Sequence, residues 1–306
     1  MWLTFSLLAA LGFGVRGILY HWTSQKPLNR NILLCGTFAM GAVVNLIIAI
    51  VLSSTWSIAC LIGIQMGLFS FGANASMFKG FAVGKASLVA VLTALPSVVV
   101  VIVAYLLWNE QLRSMQLIAF LIIIGGVLLV RYSNDLTLRN LQGAQWGLLA
   151  MLLFAGNDLS GKWSTLMEAE LYPTMVMMFA TGAICFGLWW LNDIRVAKNR
   201  GLEQESPSGI VSVSSKDTVK SNNHWSNKRT FFVGMAIGTT NTIGMMLIVT
   251  AFDLGKAGLV SAVVALNVLI VLLYTRFVVK EKFTPTEVAG ILLAFSGIIL
   301  MRLFGA

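Results

Sequence analysis

An aspartate stands inside an apolar, helix-length run, FAGNDLSGKW at 154–163, with an asparagine before it and a lysine four residues after it. That spacing puts Asp158 and Lys162 on one helical face, with Asn157 beside them. An ionisable side chain held in hydrocarbon costs about 2.5 kcal/mol or more at mid-helix. Asp158 is therefore expected either to ligate a substrate or a proton, or to neutralise itself against Lys162 near the membrane interface. Lys79 ends another apolar run, with Asn74 and Ser76 about one turn earlier. It either reaches into a site or lays its stem in lipid and its ammonium at the headgroups. Arg16, in GFGVRGILYHW, has the same two options, and Gly12, Gly14 and Gly17 around it point to a close helix contact or a kink.

Uncharged polar residues extend the candidate site. The run GTTNT at 238–242 falls in the middle of an apolar segment. Thr239, Thr240 and Thr242 either face a cavity or bond back to carbonyls of their own helix. Asn241 and Asn267 are expected to face inward, because an amide turned to lipid leaves several hydrogen-bonding groups unsatisfied. Glu110 and Glu281 end their segments at corresponding places, which favours a shared structural role, such as binding a turn or a neighbouring helix end.

Other chemistries lack their residues. His21 and His224 are the only histidines, and there is no HExxH, GxSxG or GxxxxGK[ST] sequence. An intramembrane enzyme is thus the least favoured class, and neither metal nor cofactor is expected. Cys35, Cys60 and Cys185 lie in apolar segments without metal-ligand spacing and read as small core residues.

The elements that carry these residues belong in a membrane. Apolar residues make up 58% of the chain, charged residues 11%, and the mean hydropathy is +0.85, far from a soluble domain. Ten segments are long enough to cross a hydrocarbon core: 2–22, 31–52, 57–78, 86–108, 113–131, 145–165, 172–191, 231–252, 257–279 and 285–304. The first is expected to be a retained span, since no basic n-region precedes it. The net charge of +9 comes from basic residues at segment ends and in one loop, where it serves topology and anionic headgroups. Membrane lipid, and not nucleic acid, is the expected partner.

The ten segments form a duplication. Residues 81–131 align without a gap on 252–302, so that Gly84, Lys85, Glu110, Gly126 and Arg131 meet Gly255, Lys256, Glu281, Gly297 and Arg302. The same offset places Ser70 on Asn241 and Pro96 on Asn267. More weakly, Trp2, Gly12 and Gly17 fall on Trp146, Gly156 and Gly161. Five helices per repeat is an odd number, so the halves enter the bilayer with opposite orientations, and paired polar groups are expected at a site between them. The second half is interrupted by a polar stretch at 192–229, expected to be a disordered loop. Counting Lys and Arg places that loop in the cytoplasm and both termini outside. Pro96 removes a backbone hydrogen bond and serves as a kink or hinge. The Gly125-Gly126 pair and the Ala289, Gly290, Ala294, Gly297 series read as tight helix packing, within the monomer or across a homodimer.

The stretch FKGFAVGKASLVAVLTALPSVVVVIVAYLLWNEQLRSMQLIAFLIIIGGVLLV resembles the EamA-type members of the drug/metabolite transporter superfamily. It has an aromatic-and-small helix end, a short Ala/Ser turn, an apolar helix with Leu95-Pro96 inside, then Asn109-Glu110-Gln111-Leu112 and a Gly-containing helix. The second copy keeps Glu281 and Gly297 but has Asn267 in place of Pro96. The resemblance implies an all-α membrane protein of ten transmembrane helices in two inverted five-helix repeats, over 1–135 and 144–306. It implies a multi-pass secondary transporter in the cell (plasma) membrane of a bacterium, exporting a small metabolite or drug-like compound. The alternative is a non-transporting receptor or scaffold.

Overall fold

The computed structural model describes residues 1–24, 26–83, 86–131, 143–204, 225–278 and 284–304. Among the described residues there are twelve α-helices and no strand. They are α1 (Trp2–Ser24), α2 (Arg30–Val51), α3 (Ile62–Val83), α4 (Ala86–Leu92), α5 (Pro96–Trp108) and α6 (Ser114–Arg131) in the first half. The second half holds α7 (Ala144–Leu166), α8 (Leu171–Gln204), α9 (Asn227–Leu254), α10 (Ala257–Val264), α11 (Asn267–Phe277) and α12 (Pro285–Phe304). Eight helical stretches are long and apolar enough to cross a membrane, and two of these, Leu88–Trp108 and Ala257–Tyr274, are each a pair of consecutive helices. Length and hydropathy do not by themselves give ten spans. α6 is apolar but shorter, and α7 is diluted by Gln145, Asn157, Asp158 and Lys162.

Both paired stretches differ from the single helices expected at 86–108 and 257–279. Proline disfavours helical geometry in the residue before it, and Leu95 sits at φ −102, ψ 10. α4 therefore ends, and α5 restarts with Pro96 in its first turn, where a missing N–H costs nothing. The second copy breaks at the same place without a proline. Leu95 and Val98 donate to the carbonyls three residues earlier, Leu92 and Leu95, and Leu266 and Leu269 donate to Val263 and Leu266 in the same pattern. The break thus belongs to the packing shared by the repeats, with Pro96 an adaptation to it.

A second difference lies at 192–229, expected to be loop throughout. α8 continues to Gln204 and α9 starts at Asn227. The segment DIRVAKNRGLEQ contains Arg, Ala, Lys, Glu and Gln and no proline, so a helix leaving the membrane can propagate through it. Its polarity reports a watery surround, not an absence of helix. The middle of that stretch, together with Lys85, Glu281 and Lys282, lies outside the described residues.

The helices pack with approximate two-fold symmetry. α2 packs on its repeat mate α8, and α6 on its mate α12, while α3 packs on α7 and α8 as α9 packs on α1 and α2. Glycines make these contacts close. A methyl group on Gly63 or Gly67 would strike the carbonyl oxygens of Thr174 and Met178, and one on their mates Gly234 or Gly238 would strike those of Leu33 and Thr37. At the α6–α12 contact, Gly126 faces the backbone of Ala294 and Gly290, so the small-residue series is used inside the chain. Met66, Phe179 and Phe252 fill the core, while Ile50, Leu106 and Leu292 point outward, as lipid-facing residues do. The two half-helix breaks line one cavity.

Candidate functional site

A cavity of about 250 Å³ lies between the two halves. Each half contributes corresponding elements. Phe13, Arg16 and Tyr20 come from α1 and Phe154, Asn157 and Asp158 from its mate α7. Ser70, Asn74, Met77 and Phe81 come from α3 and Asn241, Met245 and Ile248 from its mate α9. Thr93, Ala94, Pro96 and Ser97 line it at the α4–α5 break, and Ser261, Val264, Ala265 and Asn267 at the α10–α11 break. Eight of the residues singled out by sequence, Asp158, Asn157, Asn74, Ser70, Asn241, Asn267, Arg16 and Pro96, are thus brought to one cavity.

The polar groups are held in specific ways. Asp158 Oδ2 accepts a hydrogen bond of 2.6 Å from the Ser261 hydroxyl, which ties α7 to α10. Arg16 Nη1 donates to Asn241 Oδ1, tying α1 to α9. Its guanidinium carbon lies 4.6 Å from the Phe13 ring centre and 5.8 Å from that of Tyr20, within range of cation–π attraction. Arg16 therefore turns into the protein and does not reach for the headgroups. Gly12, beside it, packs on Gly244 and the Thr240 carbonyl of α9, while Gly14 and Gly17 pack on Ile270 and Val271 of α11. The Asn74 amide donates to the Ser70 carbonyl at 2.7 Å. α5 and α11 both begin at the cavity, and neither has a side-chain cap on its N-terminus.

Three singled-out residues lie elsewhere. The Thr240 hydroxyl donates to the Ile237 carbonyl at 2.8 Å, and Thr239 and Thr242 bond back in the same manner. Lys79 Nζ lies 5.1 Å from the Trp146 ring centre, outside the cavity. Lys162 shares a helix with Asp158 but serves another cluster. Its ammonium donates to the carbonyl oxygens of Phe252 at 2.7 Å and Gly255 at 2.9 Å, and lies 3.4 Å from Glu110 Oε1. Glu110 Oε2 in turn accepts from the Ala257 backbone N–H at 2.8 Å. Asn109, in left-handed conformation at φ 53, ends α5 and aims Glu110 at this turn. Lys256 Nζ adds bonds to the Gln111 carbonyl and, at 2.9 Å, to Gln116 Oε1. This clasp joins the α5–α6 turn of the first half to the α9–α10 turn of the second. A cation sits on the C-terminal carbonyls of α9 and an anion on the N-terminus of α10, the favourable ends for each.

The clasp lies one turn of α7 beyond Asp158, and its residues are not among those lining the cavity. At the opposite end the lining reaches Phe81, two residues before α3 finishes at Val83, and Tyr20, near the end of α1.

A cavity between two homologous halves, flanked by interrupted helices and surrounded by lipid-facing side chains, defines a multi-pass membrane transporter. The family model for the EamA-like transporter family matches residues 1–132 and 141–303. The chain belongs to the EamA-like transporter family, whose members carry small molecules across membranes. A solved crystal structure is similar over 99% of this chain and 97% of its own, with a TM-score of 0.73 at 12% identity; at that identity the likeness concerns the fold. Comparison with curated protein sequences gives no match.

Proposed function

We propose that the protein is a secondary transporter of ten spans that exports a small metabolite across the bacterial plasma membrane by alternating access. Its spans are α1, α2, α3, α4 with α5, and α6, followed by the inverted set α7, α8, α9, α10 with α11, and α12. One observation carries the reading: helices broken at repeat mates Pro96 and Asn267 start new half helices at one polar cavity between the halves. Discontinuous helices at a repeat interface are how such transporters hold a substrate near the membrane midplane.

In this reading the clasp closes the cavity on the outside and the end at Phe81 and Tyr20 opens to the cytoplasm, an orientation that the positive-inside count supports. An exporter loads from that side. Alternating access then requires the clasp of Glu110, Lys162 and Ala257 to part while the cytoplasmic end closes. The test is a disulfide between Glu110→Cys and Ala257→Cys, in a chain with its three native cysteines replaced by alanine and reconstituted into liposomes. Flux of amino acids, organic acids, sugars, nucleosides or cationic drugs above protein-free vesicles, stopped by oxidation and restored by reductant, supports the reading. A folded protein that moves none of them before oxidation favours a receptor or scaffold.

A further inference from the structure

Four buried side-chain polar atoms among the described residues have no hydrogen-bond partner: Arg16 Nε, Ser97 Oγ, Asn157 Oδ1 and Asn45 Oδ1. The first three belong to residues that line the same cavity. Buried polar atoms are costly to leave unpaired, so three of them around one cavity describe groups that a bound polar ligand would satisfy in place of water. Ser97 and Asn157 are only 2% and 7% exposed, and Ser97 stands in the first turn of α5.

The charges of the cavity narrow the ligand. Arg16 contributes a cationic donor, and Asp158, the one acidic residue lining the cavity among the described residues, contributes an anionic acceptor whose Oδ2 is bonded by Ser261. Such a pair suits a ligand that carries both a carboxylate and a hydrogen-bond donor. The unpartnered acceptor Asn157 Oδ1 suits the same donor. At about 250 Å³ the space falls below the roughly 300–1,000 Å³ of pockets for drug-sized compounds. Phe13, Met245 and Ile248 supply an apolar wall.

We propose that the substrate is a small organic acid, held by its carboxylate at Arg16 and the Ser97 hydroxyl, and by a donor group at Asn157 and Asp158. This rests on the transporter reading and names the substrate class for that cavity.

The test uses full-length protein in liposomes, with a panel of 2-hydroxy, 2-amino and unsubstituted carboxylic acids, each paired with its primary amide. Sugars, nucleosides and quaternary ammonium compounds form the comparison arm. Exchange of at least one acid is expected to exceed that of its amide by about tenfold or more, the scale of one lost charge-assisted hydrogen bond. Arg16→Gln is expected to erase the acid-over-amide preference, and Ser97→Ala to reduce acid affinity several-fold by the same principle. Should Arg16→Gln fail to fold, Ser97→Ala and the acid–amide pairs in the unmodified protein decide the matter. Equal exchange of acids and amides overturns the proposal. So does exchange confined to sugars, nucleosides or cations, which would leave the transporter reading standing. Absence of exchange for every compound overturns both.

Discussion

Glu110 and Lys162 lie 3.4 Å apart and together cap the two helix ends that meet at Gly255: the lysine holds the last carbonyls of α9 and the glutamate holds the first N–H of α10. Their side chains are 15% and 9% exposed, so solvent replaces little of what either loses. Glu110→Gln is expected to destabilise the folded protein by about 1–3 kcal/mol, the cost of removing a charged partner from a largely buried hydrogen-bonded group. Thermal unfolding in detergent measures this. The same variant is expected to raise the labelling rate of a cysteine placed at Ala257, because the α5–α6 and α9–α10 turns are then held together less tightly.

The pair Gly125 and Gly126 separates close packing from helix propensity. A methyl on Gly125 would rest 3.5 Å from Leu293 Cδ2, an ordinary contact, whereas one on Gly126 would lie 2.6 Å from the Ala294 nitrogen and 2.7 Å from the Gly290 oxygen. Gly125→Ala is expected to be neutral or slightly stabilising. Gly126→Ala is expected to cost about 1–3 kcal/mol through overpacking at the α6–α12 contact. Melting temperatures of the two variants, measured side by side, check the difference.

Pro96→Ala is expected to leave the α4–α5 break in place and to shift stability by less than about 1 kcal/mol. The basis is internal to the chain, since Asn267 occupies the matching position and its helix breaks with the same bond pattern. Loss of flux in this variant with an unchanged melting temperature would assign the proline a role as a hinge.

Asp158→Asn keeps the shape of the side chain and can still accept from Ser261, but it cannot exchange a proton. If flux follows an imposed pH gradient, this variant is expected to lose that dependence and to bind substrate more weakly, since the amide oxygen is a poorer acceptor than the carboxylate. A pH-sensitive dye trapped in proteoliposomes reads the outcome, and proton-linked flux that persists would remove Asp158 from the coupling step. Lys79→Gln, by contrast, is expected to leave flux unchanged, because Lys79 lies against Trp146 and away from the cavity.

The site was legible from sequence where the bilayer makes polarity expensive. Asn241, Asn267 and Asp158 stood out because an amide or carboxylate in an apolar run needs a partner inside the protein. Ser261 did not, since a lone serine in a helix can satisfy itself on its own backbone, and nothing in its spacing pointed to Asp158. The four-residue spacing correctly put Lys162 on the helix of Asp158, but a periodicity argument sees only one helix. The partners of Lys162 are Glu110, Phe252 and Gly255, all far away in the chain. The break at Asn267 was not legible, because no proline marks it and a single helix was expected over 257–279. The helical continuation of α8 was hidden because polar composition was read as disorder, although the same residues propagate a helix in water.

The charges of the cavity do not follow the duplication. At the offset that pairs α1 with α7, Asp158 falls on Gly14, Arg16 on Ser160, and Lys162 on Ile18. Symmetric helices therefore carry an asymmetric set of charges. The lysine of the clasp has no counterpart in the other half. Under the proposed alternation, the two opposite-facing states built from one duplicated scaffold are therefore expected to be unequal in energy, so that an empty protein rests with one door bolted and the other ajar.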